Sequence, residues 1–390
     1  MKVVWVNRSF LDYRIPVYIE LDALLNGNFA VIFSREHTLE RVRHKMMSSL
    51  GPRAISLNGE KVLFQRNDSK GDFANMSTEI CFQPGLLANI KKYKPDVLIG
   101  EGFFKWTTAA LIYRLLHGTP LIISYERTQH TERHSQWYRT IYRKIVSRFV
   151  DAVCCNGSLS AEYVESLGVP NEKIITGTMA ADSHFLKEQC ERISVEARKT
   201  MKKKLQLSSP IFLYVGQLIE RKGLIHLLKA WNGLYETNAG ITASLLIVGD
   251  GPERGRLESF ARDAGLDNVF FAGLIDYDEI AMYYAIADIF IMPTLEDNWS
   301  LAVPEAMACG LPILSSKYNG CWPELVREGV NGFIFDPLNL HEFTQYIKYL
   351  IEHPETYEKM GSESRKIEAE YSPRNAARRI FKACLVAKGD

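Results

Sequence analysis

Residues 293–313 read PTLEDNWSLAVPEAMACGLPI, and their order decides the fold. They follow the apolar run Ile289-Phe290-Ile291-Met292 and end in a second, Ile313-Leu314, with a helical stretch over 304–309 between them. An apolar run, a loop, a helix and another apolar run form a β–α–β unit, whose strands are parallel and buried on both faces. Asp297 and Glu305 stand eight residues apart on either side of the loop-to-helix junction. Glu305 lies in the first helical turn, one residue after Pro304, where the helix dipole favours a carboxylate. There it can cap the helix or accept hydrogen bonds from two vicinal hydroxyls.

The same alternation extends in both directions. Apolar runs at 211–215, 244–248, 269–271 and 332–335 accompany helical stretches around 224–235, 253–264 and 278–285. An earlier series has runs at 3–6, 30–33, 97–100, 121–124 and 152–155, with helix-like segments at 16–25 and 106–116. The fold class expected is α/β: two doubly wound Rossmann-like domains facing a cleft, with ligands beyond the carboxyl ends of the strands. The charged stretch 187–209 contains Lys202-Lys203-Lys204 and ends in Ser208-Ser209-Pro210, which marks a boundary. The expected domains are 1–187, a linker over 188–208, and 209–370. Residues 374–386 (RNAARRIFKACLV) read as an amphipathic helix within a segment 371–390 that crosses back to the first domain.

The 390 residues are 46% hydrophobic and 24% charged, which excludes disordered and collagen-like chains and suits two domains. The net charge of +1 hides an asymmetry: residues 1–150 carry 22 Lys+Arg against 13 Asp+Glu, and 151–390 carry 25 against 33. A basic half can face nucleic acid, anionic lipid or phosphorylated substrates. No aromatic-basic recognition signature supports nucleic acid, so that partner is not expected. Seven cysteines without CxxC spacing read as reduced thiols of a cytoplasmic chain. The first apolar run is too short for a signal-peptide core, and nowhere do 18 apolar residues run together.

Two further loops carry chemistry. The strand 211–215 runs into GQLIERKG (216–223), so a glycine turn presents Arg221 and Lys222 near a helix start, an arrangement that suits a pyrophosphate. Taken alone, the two could equally be solvated charges. GDGPERGRLE (249–258) places glycines at a strand end, either for a tight turn or for close backbone approach to a ligand.

In this order the three motifs resemble the retaining GT-B glycosyltransferases of family 4, over about residues 209–370. The resemblance implies that the second domain binds a nucleotide-diphosphate sugar, UDP- or GDP-linked, that the first binds the acceptor, and that no metal or other cofactor is required. It implies that Arg221 and Lys222 neutralise the diphosphate, Glu305 holds the ribose hydroxyls and Asp297 contacts the transferred sugar. Asn298, Trp299, Ser300 and Leu301 fall where the family's Gly-Phe-Gly-Leu type loop touches sugar and phosphates. Gly216 and Gly249 would let the backbone pass the donor, and Leu274 lies where the family holds the base. The chain departs from the family at Asp297, where Glu is usual, and at Asn298-Trp299. It departs again at NRSFLDYRIPV (7–17), which lacks the glycine-rich loop and offers Asp12, Tyr13 and Arg14 to the cleft. In the stretch YERTQHTERHSQWYR (125–139), Glu126 occupies about the position of the family's sugar-contacting His, with His130 close by. Glu101, at another strand end, is an acceptor-site candidate.

The implied activity is retaining transfer of a hexose to a glycan or lipid-linked glycan in cell-surface polysaccharide synthesis, lipopolysaccharide or capsule. The alternative is a sugar-nucleotide epimerase of the same fold. SQWYRTIYRKIVSRF (135–149) interleaves Trp137, Tyr138, Ile141, Tyr142, Ile145 and Phe149 with Arg139, Arg143, Lys144 and Arg148. With Arg35, Arg41, Arg43, Lys45 and Arg53 it suggests peripheral docking on the anionic inner face of the cell membrane. An ordinary helix with its apolar face in the core is the other reading.

Overall fold

The computed structural model describes residues 1–67, 73, 74, 77–237 and 242–389. The chain divides into two units, Met1–Asp182 with the C-terminal segment from Tyr371, and Ser183–Glu370. Unit 1 begins with β1 (Val3–Val6), α1 (Arg14–Leu24), β2 (Phe29–Ser34), α2 (Glu40–Leu50) and β3 (Ala54–Leu57). An antiparallel hairpin of β4 (Lys61–Asn67) and β5 (Ser77–Phe82) follows, outside the main sheet. Next come α3 (Leu86–Tyr93), β6 (Val97–Glu101), α4 (Thr107–His117) and β7 (Leu121–Tyr125). The series ends with α5 (Trp137–Ser147), β8 (Ala152–Cys155), α6 (Ser158–Ser166) and β9 (Ile174–Ile175).

The seven strands of the main sheet run parallel in the order β3-β2-β1-β6-β7-β8-β9. Every residue of β1, β2, β7 and β8 is buried, because helices cover both faces of a parallel sheet. On one face Trp5, Val31 and Ile99 pack with α1 and α2; on the other Val4, Val6 and Leu98 pack with α3 and α4.

Unit 2 comprises α7 (Ser183–Arg192), α8 (Val195–Lys204), β10 (Ile211–Val215), α9 (Leu224–Thr237), β11 (Ser244–Val248) and α10 (Arg254–Asp263). It continues with β12 (Val269–Gly273), α11 (Ile280–Ile286), β13 (Ile289–Met292), α12 (Ala302–Ala308), β14 (Ile313–Ser316) and α13 (Trp322–Leu325). Then follow β15 (Gly332–Phe335), α14 (Leu340–Glu352) and α15 (Tyr357–Ala369). Its parallel sheet has the order β12-β11-β10-β13-β14-β15. Strand order reverses between β1 and β6 in one sheet and between β10 and β13 in the other. In open α/β sheets the ligand crevice lies beyond the strand ends at that reversal.

The segment 188–208 is not a linker. Leu186 and Cys190, one turn apart on α7, are buried in unit 2, and the Ser194 hydroxyl caps α8 by accepting from the Ala197 amide at 3.2 Å. The final helix, α16 (Pro373–Lys388), returns to unit 1, where Ala376, Ala377, Ile380, Ala383 and Cys384 join the core around Tyr18 and Trp5. Among the described residues no helix is long and apolar enough to cross a membrane.

α5 follows neither sequence reading in full. Arg143 does not face outward: it is buried and paired with the buried Glu132 at 2.7 Å. Tyr142 stacks on Phe104, yet Trp137, Tyr138, Ile141, Ile145 and Phe149 all point to solvent. In the other basic segment, Arg41 pairs with Asp12, Arg43 with Glu40 and Arg53 with Asp22. Those three cations have neighbouring carboxylates, while Arg35 and Lys45 are exposed.

Candidate functional site

In unit 2 the residues singled out from three distant stretches gather at the strand reversal. β10 runs into Gly216, whose amide donates to the Val248 carbonyl at 3.0 Å, and the Gly249 amide donates to the Gly273 carbonyl at 2.8 Å. A Cβ on Gly249, which has φ +139°, would lie 1.8 Å from the Gly216 carbonyl oxygen, so only glycine permits this approach. Leu274, next along, is exposed at the rim.

The turn carrying Arg221 and Lys222 is clamped to the loop after β13. The Arg221 carbonyl accepts from the Leu295 amide at 2.8 Å and the Thr294 hydroxyl at 3.0 Å, while its guanidinium donates to the Glu296 carbonyl at 3.2 Å. Gly223 makes this possible: at φ +70°, a Cβ there would sit 2.1 Å from the Pro293 oxygen. Lys222 and Asp297 then form an ion pair in which each side chain is only 12% exposed. Burial by itself would raise the Asp297 carboxyl; Lys222, Arg221 and Ser300 outweigh it and hold the group below its ordinary value. The two residues to which the resemblance gives different parts of the donor thus touch each other directly.

The loop after β13 is braced from behind by residues that the sequence reading missed. Asn319, fully buried, accepts from the Ser300 amide at 3.3 Å and donates to the Ser315 hydroxyl at 3.3 Å. The Gly320 amide donates to the Asp297 carbonyl at 2.9 Å. Trp299 is buried, and its amide donates to Asp297 Oδ1 at 3.2 Å. Beside it, Asn298 Oδ1 is buried without a hydrogen-bond partner, a polar atom available to a ligand. Leu301 precedes α12, and on its first turn Glu305 accepts from the Tyr284 hydroxyl at 2.9 Å. Burial and the Glu305 charge push the Tyr284 phenol far up, so it remains a donor. Tyr214, also buried, lies below Asp297 and Arg221 with its hydroxyl on the Gln217 carbonyl at 2.9 Å. The Asn-Gly pair at 319–320 was a turn signal that could have been used; nothing marked Tyr284 or Tyr214.

In unit 1 the strand reversal holds a second group. Arg14 is buried, paired with Glu101 at 3.1 Å and set against the Trp5 and Tyr13 rings at 5.7 and 5.8 Å. Glu101 also accepts from Trp5 Nε1 at 3.1 Å and from the Ser124 hydroxyl at 3.3 Å. Burial pushes the Glu101 carboxyl up, Arg14 opposes this and the Glu126 charge adds to it, for a net rise. Tyr13 is pushed up to about 12, chiefly by burial. Tyr13, Arg14, Glu101 and Glu126 therefore form one electrostatic cluster. Asp12 turns away from it to Arg41, at 3.0 Å. His130 sits half-buried in a turn stapled by mutual Thr128–Thr131 hydrogen bonds, its carbonyl accepting from Arg133 at 2.6 Å.

Two family models match: Glycosyl transferases group 1 over residues 197–367, and Glycosyltransferase Family 4 over 71–176. The sulfoquinovosyl transferase SQD2 of Arabidopsis thaliana is 24% identical over 83% of this chain. A GDP-mannose-dependent alpha-(1-6)-phosphatidylinositol monomannoside mannosyltransferase of Mycolicibacterium smegmatis is 30% identical over 43%. The chain spans 62% of the length of the first of these relatives and 45% of the second. Anabaena HepE, solved in complex with UDP, superposes with a TM-score of 0.76 at 18% identity, covering 98% of this chain and 99% of that one. HepE has also been solved with UDP-glucose. With both family models in register with the two α/β units, the chain belongs to the group 1 glycosyltransferases, enzymes of the GT-B fold.

Proposed function

We propose that this chain transfers a hexose from a nucleotide-diphosphate sugar to a hydroxyl of a glycan or lipid-linked glycan, with retention at the anomeric carbon, in cell-surface polysaccharide synthesis. The observation that carries the reading is the Lys222–Asp297 pair, clamped beside Arg221 at the strand reversal of unit 2. Arg221 and Lys222, rather than a metal ion, would carry the diphosphate charge. Glu305, oriented by Tyr284, would hold the ribose hydroxyls, and Asn298 Oδ1 would meet a sugar hydroxyl. UDP is the favoured nucleotide because HepE, of the same fold, binds it. A lipid-linked acceptor and an anionic membrane surface agree with the lipid acceptor named for the mycobacterial mannosyltransferase.

In the proposed step the bond between the anomeric carbon and the β-phosphate oxygen breaks, and the acceptor oxygen bonds to that carbon on the same face. The hydroxyl proton passes to the departing phosphate oxygen. Charge accumulates on the diphosphate, so cations already fixed in a water-poor site supply most of the stabilisation. The cluster of Tyr13, Arg14, Glu101 and Glu126 in unit 1 is the acceptor-side candidate.

The test is a donor screen by mass spectrometry with UDP-, GDP-, ADP- and dTDP-sugars, following release of nucleoside diphosphate. One donor consumed, and far less of it by Glu305→Ala at sub-saturating donor, is the expected result. Equal consumption by Glu305→Ala would overturn the site. Conversion of the donor to an isomer without acceptor would favour the epimerase.

A further inference from the structure

The outer surface of α4 and α5 is built with inverted polarity. On α4, Thr108, Ile112, Leu115 and Leu116 recur at helical spacing on the solvent side; Leu116 is 71% exposed. On α5 the solvent side carries Trp137, Ile141 and Ile145, with Trp137 75% exposed, while the charged Arg143 is turned into the core. A solvated helix is polar outside and apolar inside; here Ala110 and Tyr113 of α4 and Val146 of α5 keep the inner sides in the core, but the outer sides are apolar as well. The two helices adjoin, since the Thr108 and Tyr142 hydroxyls lie 3.5 Å apart and Phe104 stacks on Tyr142. A cavity of about 350 Å³ lined by Phe82, Leu87, Trp106 and Ile112 joins this surface to α3 and the hairpin, where Leu63 and Phe64 are also exposed.

The charges choose the occupant. α3, α4 and α5 contain no Asp or Glu, whereas Lys91, Lys92, Lys144 and Arg148 are exposed on or beside them. Lys144 precedes Ile145 and Arg148 precedes Phe149, so cations lie within the apolar stripe. A second copy docking by a two-fold axis would set this patch against itself, opposing like charges with no carboxylate on these helices to compensate. A lipid surface supplies what both kinds of side chain need: acyl chains for Ile141, Ile145 and the indole, and phosphates at the level where Lys and Arg heads remain wet.

We propose that the α3–α4–α5 face of unit 1 docks on an anionic lipid bilayer. The inference supplies the partner of the acceptor-side unit in the function proposed above. Bilayer binding and donor consumption are read separately, so the failure of either is recognisable.

The experiment is flotation of the full chain with phosphatidylcholine vesicles, with and without phosphatidylglycerol, at low and high salt. Flotation is expected only with phosphatidylglycerol and should weaken with salt. Lys144→Glu/Arg148→Glu should lower the bound fraction about tenfold or more, since each cation near an anionic surface is worth roughly a fivefold change in partitioning. Trp137→Ala/Ile141→Ser should abolish binding. These side chains are exposed, so all variants should keep the wild-type circular dichroism, melting temperature and donor consumption. No flotation with phosphatidylglycerol, or flotation unchanged in the variants, overturns the proposal. So does a dimer seen by light scattering that Trp137→Ala/Ile141→Ser dissolves while vesicles bind nothing.

Discussion

Tyr284→Phe removes one oxygen and nothing else. The ring is buried among Phe290 and its neighbours, so the phenylalanine occupies the same space without opening a cavity. What disappears is the 2.9 Å hydrogen bond to Glu305 Oε2. A hydrogen bond to a charged group contributes about 1.5–3 kcal/mol, which corresponds to roughly 12- to 150-fold in an equilibrium constant. Part of it is offset because the freed carboxylate oxygen can take a water. We therefore expect the donor KM, and the Kd for the nucleoside diphosphate by calorimetry, to rise about tenfold. kcat should change far less, because the ribose is held equally in ground and transition states. The variant should melt within a few degrees of wild type, and Glu305→Gln should show the same division between KM and kcat. An unchanged donor KM in Tyr284→Phe, with Glu305→Gln impaired, would refute the orienting role. Unchanged values in both would remove Glu305 from the donor site.

Three further outcomes follow from particular contacts. Lys222→Ala should cut turnover roughly 100-fold or more. It should also flatten the acid limb of stability: Asp297 is held below its ordinary 3.8, so its contribution is present above that pH and lost as pH falls through the lowered value. Thermal melts of wild type and variant from pH 6 to about 3 check the sign; a variant with an equally steep acid limb would contradict the pairing. Arg143→Met removes the buried partner of Glu132, leaving it to Arg127 at 3.2 Å and the Tyr125 hydroxyl at 3.1 Å, and should cost up to about 3–5 kcal/mol, whereas Arg143→Met/Glu132→Met should recover much of it. Scanning calorimetry would show this as a melting-temperature loss of about 6–20 °C in the single variant only. Gly249→Ala drives a methyl group into the Gly216 carbonyl and should abolish calorimetric donor binding or soluble expression; wild-type binding would contradict the close approach.

The strands were legible because parallel strands buried on both faces must be apolar throughout, and runs such as Val3–Val6 and Ile289–Met292 are apolar from end to end. Asp297 and Glu305 were legible because a strand, a loop and a helix start lie within one short stretch. Lys222 meeting Asp297 was not, since 75 residues separate them and only the reversal of strand order between β10 and β13 brings them together. Tyr284 acts from behind the loop, on a helix whose sequence follows an ordinary packing pattern, and Asn319 acts from a turn whose Asn-Gly signal was not used. The stretch 188–208 was misread because α8 buries nothing, and the charges hid the two apolar anchors of α7. Arg143 was misread for the converse reason. Periodicity shows that α5 has two faces, but which of them meets the sheet depended on Glu132, buried beside it in a segment read only for Glu126 and the histidines.

The basic character of residues 1–150 is likewise a sum over groups with different tasks. Arg8 is spent on Glu60 and Glu79 at 2.5 and 2.7 Å, Arg14 on Glu101, Arg114 on Asp151 at 2.8 Å and Arg143 on Glu132. These pairs are partly or fully buried, so they are weakly screened and contribute little field outside the protein. Part of the excess that a distant partner could sense lies on the helices without carboxylates, through Lys91, Lys92, Lys144 and Arg148. Two consequences separate experimentally. Replacing a paired arginine should change stability with little change in salt-dependent binding, and replacing Lys144 or Arg148 should do the reverse. A chain of nearly zero net charge can therefore bind an anionic surface tightly, because association depends on the charge of the face presented rather than on the total.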